Sequence, residues 1–403
     1  MVGCLGWRYA TGEPNLRRNA CQCAGPIQIN AVESADKILT YVHQTETNIT
    51  LNTSYKAGYQ CPSNIALVKY WGKKSEGVQL PANPSISWSL GDLYAKTLVE
   101  AHPRTENTAF VFTLAGEPKP SFEPKIAAFL KKIAGDCPWL EQYTLHIDST
   151  NNFPHGTGIA SSAAGFGALG LCLAHIEQLV HGATSLDLHI QGMDFWQRSS
   201  YLSRIGSGSA CRSMFDKPAV WGVSEAVSDS SDLYAVPLSQ SVHPSLQGWK
   251  DVVLIVDDGE KSVSSTDGHA LLEAHPYAAA RFGQAQKNLG LLVQAMAEGN
   301  VSDFISIVES EALQLHAMMM TSRPYYLLMR PNTLAIIEKI WAFREKTGYP
   351  LCFTLDAGAN VHLLFDGKID DPLMNFVQDT LLPYCKNGQY LCSETGKRPL
   401  SIL

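Results

Sequence analysis

Three stretches of the chain concentrate groups that bind phosphate or move a proton. In the first, Gly156-Thr157-Gly158-Ile159-Ala160-Ser161-Ser162-Ala163-Ala164-Gly165, glycines allow close backbone approach and serine hydroxyls add donors. It follows a strand-like pattern and opens a helix-like one, so unpaired N–H groups and the helix dipole converge on an anion. It is not a P-loop, which needs Gly-Lys-Ser/Thr, nor the dinucleotide fingerprint, because Ser161 stands where the third glycine belongs. A tight turn serving only packing is the competing reading, and the serine pair argues against it. The second stretch, Gly206-Ser207-Gly208-Ser209-Ala210-Cys211-Arg212, ends in a guanidinium suited to bidentate phosphate binding. Its plain alternative is a Gly/Ser turn with a solvated arginine. Two such loops imply two phosphorylated ligands. The third stretch, Leu355-Asp356-Ala357-Gly358-Ala359-Asn360, sets a carboxylate after an apolar run, where an unpaired charge is costly.

The elements that must hold these groups are mixed. Strands are expected around Tyr59 to Val68, over Ser85-Ile86-Ser87-Trp88-Ser89-Leu90 and over Tyr143-Thr144-Leu145-His146-Ile147, where apolar and polar residues alternate. An amphipathic helix is expected over 124–134 and a buried, small-residue helix over 163–179. After a Pro/Ser/Gly-containing link at 237–248 come an apolar strand at 252–256, helices near 276–298, 301–316 and 331–347, a hairpin around Asp356 and a helix near 372–384. This is an α+β pattern. It suggests a variable extension over 1–57 with one short helical pattern near 32–42, a first domain over 58–248, and a second over 249–403 of α/β plait type.

Composition narrows the classes of function. With 403 residues, two domains are the natural expectation. The net charge of −7 and the absence of a basic stripe argue against nucleic acid as a partner. Apolar stretches are interrupted by Gly, His, Gln or charge, so no membrane span is expected. Ten cysteines without a repeating spacing fit reduced thiols and a cytoplasmic location, and the Cys21/Cys23 pair matches no zinc or redox motif. No secretory signal pattern is evident. The C-terminal Ser401-Ile402-Leu403 lacks the basic residue of a peroxisomal address.

The run Asn64-Ile65-Ala66-Leu67-Val68-Lys69-Tyr70-Trp71-Gly72-Lys73, the two Gly/Ser loops and the Asp356 turn together resemble the mevalonate diphosphate decarboxylases of the GHMP kinase superfamily. The likeness runs from about Tyr59 to near the C-terminus, with the motifs in the family's order. It implies a ribosomal S5 domain 2-like N-terminal domain, a ferredoxin-like plait, ATP with Mg²⁺, a small-molecule substrate and a homodimer. By position, Gly156, Gly158, Ala160, Ser161 and Ser162 would hold ATP phosphates, and the metal would be bound through those phosphates. Asn64, Tyr70, Trp71, Lys73, Ser207, Ser209, Arg212, Lys261 and Ser265 would contact mevalonate diphosphate. Asp356 would be the catalytic carboxylate, paired with Lys73 and orienting the substrate hydroxyl during attack on the γ-phosphate.

Two departures stand out: the family usually has Pro where Ala359 stands and Met at His269, both expected to touch loop shape and not chemistry. The methionine-rich stretch after His316 is expected to be core packing. Three alternatives stay open: decarboxylation of the monophosphate, 3-phosphorylation of mevalonate, and a catalytically silent nucleotide-binding interaction protein. Retained Asp356 disfavours the pure kinase. Release of carbon dioxide from substrate would exclude the silent protein.

Overall fold

The computed structural model describes residues 53–74, 79–154, 159–259, 265–272 and 274–403. The short helix pattern near 32–42 and the Cys21/Cys23 pair lie outside them. Two sheets carry the architecture. The first is built from β1 (Tyr55–Val68), β2 (Ser85–Pro103), β3 (Phe110–Leu114), β4 (Glu117–Pro118), β5 (Tyr143–Asn151), β6 (Ala219–Trp221), β7 (Val236–Pro237) and β12 (Leu400–Ser401). Its main order is β12-β1-β2-β5-β3-β4, with β6 on β2 and β7 on β6. Pairing is antiparallel except between β3 and β5. The second sheet has the order β11-β8-β10-β9, all antiparallel, from β8 (Trp249–Leu254), β9 (Leu351–Thr354), β10 (Val361–Asp366) and β11 (Tyr390–Glu394).

The helices are α1 (Glu123–Ile133), α2 (Ser161–Val180), α3 (Phe195–Gly206), α4 (Ser265–Ala270), α5 (Ala278–Glu298), α6 (Val301–Thr321), α7 (Pro331–Thr347) and α8 (Asp370–Phe376). α7 has the expected bounds for a visible reason. Pro331 costs nothing at a first helical position, and Gly348 takes a left-handed φ of 68° that closes the last turn. The helix expected near 372–384 instead ends at Phe376 and continues as a π turn and a 3-10 turn, because Pro383 cannot donate to a helical ladder.

α2 corrects the reading of the apolar stretches, since it is long and apolar enough to cross a membrane. Its glycines do not interrupt it. A Cβ on Gly170 would fall 2.2 Å from the Ser203 hydroxyl on α3, so this glycine lets the two helices close on each other. With 83% of the apolar window buried, α2 is a core helix, packed with β1, β5, α1 and α3 around Phe129, Leu145, Leu169, Leu173 and Leu202. The second sheet packs α5 and α6 on one face through Val253, Leu289 and Phe304. Its other face packs Ile337, Phe353, Leu363 and Phe376.

β1 bears most directly on function. Its register shifts between Pro62 and Ser63 and again between Ala66 and Val68. The first irregularity accommodates a proline without an N–H. The second bends the strand end that carries Lys69-Tyr70-Trp71.

A buried ion pair ties α3 to α2. Arg198 Nε and Nη2 each donate at 2.8 Å to Glu177, whose side chain is 2% exposed. Arg198→Met leaves that carboxylate uncompensated and is expected to lower stability by about 3–5 kcal/mol. The double variant Glu177→Leu/Arg198→Met should recover most of the loss. Denaturant midpoints of the three proteins check this.

Candidate active site

The ends of β1, α2 and α3 and the turn after β9 meet at a cavity of about 320 Å³. Its wall includes Asn64, Lys69, Tyr70, Lys73, Arg212 and Asp356. Three segments far apart in sequence, each picked out for its chemistry, therefore face one space. A second, more apolar cavity of about 220 Å³ adjoins the start of α2 and is lined by Phe112, Phe122, Ile147, Ser161 and Phe166 among others. Lys125 and Ser162 line both.

At the start of α2, Ala160 has φ 6° and ψ 49° and no side chain caps the helix. The helix thus presents its positive end and uncapped amides beside the Ser161 and Ser162 hydroxyls. The Ser162 hydroxyl lies 3.2 Å from that of Ser207, which joins the two glycine loops directly. Asn64 fixes the second loop from below, donating to the Ser209 carbonyl at 3.0 Å and to the Ser213 hydroxyl at 2.8 Å. Gly208 is required by close approach, since a Cβ there would meet the Tyr70 and Trp221 rings at 2.9 Å.

Arg212 is 2% exposed, and its guanidinium donates to two hydroxyls, Ser87 at 2.5 Å and Ser85 at 2.7 Å. Among the described residues no carboxylate forms an ion pair with it. Burial pulls its pKa below the usual arginine range, although Cys211, Asp356 and Tyr70 act in the opposite sense. A buried cation without a carboxylate partner is costly unless an anion arrives. Lys125, exposed on α1, adds a further cation to the wall of both cavities. Desolvation lowers its pKa, and its ammonium sits 5.3 Å from the Phe166 ring centre at the junction of the two cavities.

The cation held against Asp356 is Lys69, at 3.3 Å from Oδ1. The Lys69 side chain is 2% exposed. Its ammonium also donates to the Ala66 carbonyl at 2.7 Å, inside the irregular end of β1. Burial lowers its pKa, partly offset by the charges of Asp356 and Glu311, while Arg212 lowers it further. The Lys69 backbone N–H donates at 3.0 Å to Glu311, a fully buried carboxylate on α6. Glu311 is saturated, accepting also from Arg281 at 3.1 and 2.5 Å and from Asn288 at 2.6 Å.

Asp356 is positioned through its backbone. Its carbonyl accepts from His316 Nε2 at 3.1 Å and from the Gly358 N–H at 2.7 Å. The Asn360 side chain accepts from the Val256 and Asp257 N–H groups at 2.7 and 2.9 Å, clamping the turn to the end of β8.

Of the residues expected at the site, Asn64, Tyr70, Trp71, Lys73, Ala160, Ser162, Ser207, Ser209, Arg212 and Asp356 line the larger cavity, and Ser161 lines the smaller. Trp71 also packs into an apolar cluster with Leu272, Leu315 and Met319. Gly156, Gly158 and Lys261 lie outside the described residues, as does the side chain of Ser265. Met318 and Met319 are buried in that cluster, as core packing requires, whereas His316 holds the Asp356 turn.

Sequence reasoning missed Lys69, Lys125, Glu311 and His269. Lys69 stood inside the quoted motif without a role, and the other three needed contacts across the fold. His269, read as a matter of loop shape, lines the cavity.

Comparison with known proteins supplies the frame. Residues 61–232 match the model of the diphosphomevalonate decarboxylase-like N-terminal domain. Residues 251–401 match the mevalonate 5-diphosphate decarboxylase C-terminal domain. The diphosphomevalonate decarboxylase of Saccharomyces cerevisiae is 31% identical over 344 residues, 81% of each chain. Among solved structures, the mevalonate diphosphate decarboxylase of Staphylococcus aureus superposes with a TM-score of 0.75 at 26% identity, covering 87% of this chain and 99% of the other. The complex of MDDEF with MVAPP, AMPPCP and magnesium gives 0.72 at 26% identity, covering 87% and 99%. With both halves matched in order and the motif residues gathered on one cavity, the chain belongs to the diphosphomevalonate decarboxylase family.

Proposed function

We propose that the protein is a diphosphomevalonate decarboxylase, converting mevalonate 5-diphosphate and ATP to isopentenyl diphosphate, ADP, phosphate and carbon dioxide. The observation that carries this is the Asp356–Lys69 pair facing a cavity whose buried guanidinium, Arg212, is hydrogen-bonded to two hydroxyls and, among the described residues, has no carboxylate in an ion pair with it. A carboxylate to orient a hydroxyl, beside cations awaiting phosphate, suits phosphorylation of an alcohol on an already phosphorylated substrate. The related complex with MVAPP, AMPPCP and magnesium supports ATP and Mg²⁺ as cosubstrate and metal.

In this reading Ser161, Ser162 and the N-terminus of α2 hold the nucleotide phosphates, with the base end toward the apolar cavity at Phe112 and Phe122. Magnesium, when bound with the nucleotide, neutralises phosphate charge. Lys125, at the junction, faces the transferring group. Tyr70, Lys73, Ser207, Ser209 and Arg212, with Lys261 and Ser265, grip the diphosphate. Asp356 orients the 3-hydroxyl and takes its proton, while Lys69 holds the carboxylate ionised and aimed. The resulting tertiary phosphate departs, positive character develops beside the substrate carboxylate, and its C–C bond electrons form the alkene as carbon dioxide leaves. The protein contributes positioning and electrostatics.

The same proposal divides the chain at 248/249 into an S5 domain 2-like half and a plait-like half. Support comes from the two separate sheets and from the gap between the matched family domains. It also includes a cytoplasmic homodimer. The seven described cysteines, all free thiols, suit a reducing compartment.

An ATP-dependent decarboxylation assay with mevalonate, its 5-phosphate and its 5-diphosphate tests the substrate. Carbon dioxide released fastest from the diphosphate is expected, and preference for the monophosphate would overturn the assignment. Asp356→Ala should lower kcat at least ~10³-fold with ATP binding kept, as read by single-turnover kinetics and nucleotide titration. Arg212→Ala should weaken substrate binding by about 1–3 kcal/mol, measured by calorimetry. Because burial lowers the Lys69 pKa, its charge is lost at a lower pH than a solvated lysine's. A basic limb of the kcat profile is therefore expected below the usual lysine range, and Lys69→Arg should move it to higher pH.

A further inference from the structure

His269 sits on α4 with its ring between those of Tyr70 and Trp71, at centroid distances of 4.4 and 4.5 Å. It is 8% exposed and lines the cavity that holds Lys73, Ser207, Ser209 and Arg212. The backbone N–H of Gly72 donates to its Nδ1 at 3.0 Å. That bond settles the tautomer. A neutral imidazole whose Nδ1 accepts must carry its hydrogen on Nε2. Among the described residues nothing accepts that hydrogen.

Burial pushes the His269 pKa down to about 3, and the nearby Lys73 charge acts in the same direction. The ring therefore stays neutral at physiological pH. It offers a fixed N–H without adding charge to a site already crowded with cations. The ring is held on both faces while its Nε2 edge opens on the cavity, where a ligand oxygen can take the place of water.

We propose that Nε2–H of His269 donates a hydrogen bond to a diphosphate oxygen of the substrate, making His269 a substrate-binding residue of this chain. The diphosphate end is the partner because His269 adjoins Lys73 and Tyr70, the residues assigned to that end. Lys73 supplies charge and His269 direction. The proposal rests on the reading that this cavity takes mevalonate diphosphate.

The two roles of the ring, holding Gly72 and facing the ligand, separate by substitution. In His269→Asn the amide oxygen replaces Nδ1 as acceptor for Gly72, and the cavity donor is lost. In His269→Gln the amide nitrogen reaches the position of Nε2, so the cavity donor is kept. The Asn variant should raise KM for mevalonate diphosphate about 5–20-fold, with KM for ATP and the melting temperature little changed. The Gln variant should stay within about 3-fold of the unaltered protein. Calorimetric titration with inorganic pyrophosphate should give the same order of affinities, and it does not depend on turnover. An Asn variant that binds pyrophosphate and substrate as well as or better than the Gln variant overturns the proposal and leaves His269 a brace for Gly72. Absence of ATP-dependent carbon dioxide release by the unaltered chain would instead overturn the assigned function.

Discussion

The site depends on keeping a lysine charged where water cannot reach it. The Lys69 ammonium, with 2% of its side chain exposed, has lost nearly all its hydration and recovers one carbonyl and one carboxylate oxygen. Such an arrangement holds only if geometry is fixed on both sides. Lys69 comes from the end of β1 in the first sheet and Asp356 from the turn beyond β9 in the second. Glu311 on α6 closes the triangle by accepting the Lys69 backbone N–H. The Lys69–Asp356 pair is thus a joint between the two sheets, and Arg281 and Asn288 keep the joint satisfied.

Around that pair the local charge runs opposite to the global one. The chain carries a net charge of −7. Its cavity nevertheless collects Lys69, Lys73, Lys125 and Arg212, with Asp356 the one acidic residue on its wall among the described residues. Two diphosphate- or triphosphate-bearing ligands bring enough negative charge to reverse the balance when both are present. Charge complementarity of this kind acts on binding order as well as affinity, because each anion that enters relieves repulsion among the cations that remain.

How much of this was legible in the sequence follows from the range of each interaction. α7 was readable at both ends because its signals, Pro331 and Gly348, are local. The Gly/Ser loops and the Asp356 turn carry local signals too, and the described parts of all three line the cavity. Glu311 was not, since a glutamate on a helix reads as a solvated charge unless one knows that Lys69, 242 positions away, lies beneath it. Lys125 looked like part of the polar face of an amphipathic helix. His269 sat after Gly268, a residue that argues for a loop, although a short helix forms there. The buried, small-residue character of α2 was visible, but the role of Gly170, letting α3 approach, was not, because it is a long-range one.

The positioning of Asp356 explains why its turn has the sequence it does. Under the proposed mechanism the carboxylate must be ionised and aimed at a hydroxyl whose proton it takes, which its own flexible side chain alone would not ensure. Here its carbonyl is held by His316 and Gly358, and Asn360 clamps the far side of the turn to the end of β8. Thr333, at the start of α7, donates to the Ala359 carbonyl at 2.6 Å. These hydrogen bonds restrict the turn at Ala359 without the ring of a proline. The backbone of the turn is therefore fixed by the protein's own hydrogen bonds, so that under the proposed mechanism binding need only supply the oxygen that the carboxylate orients.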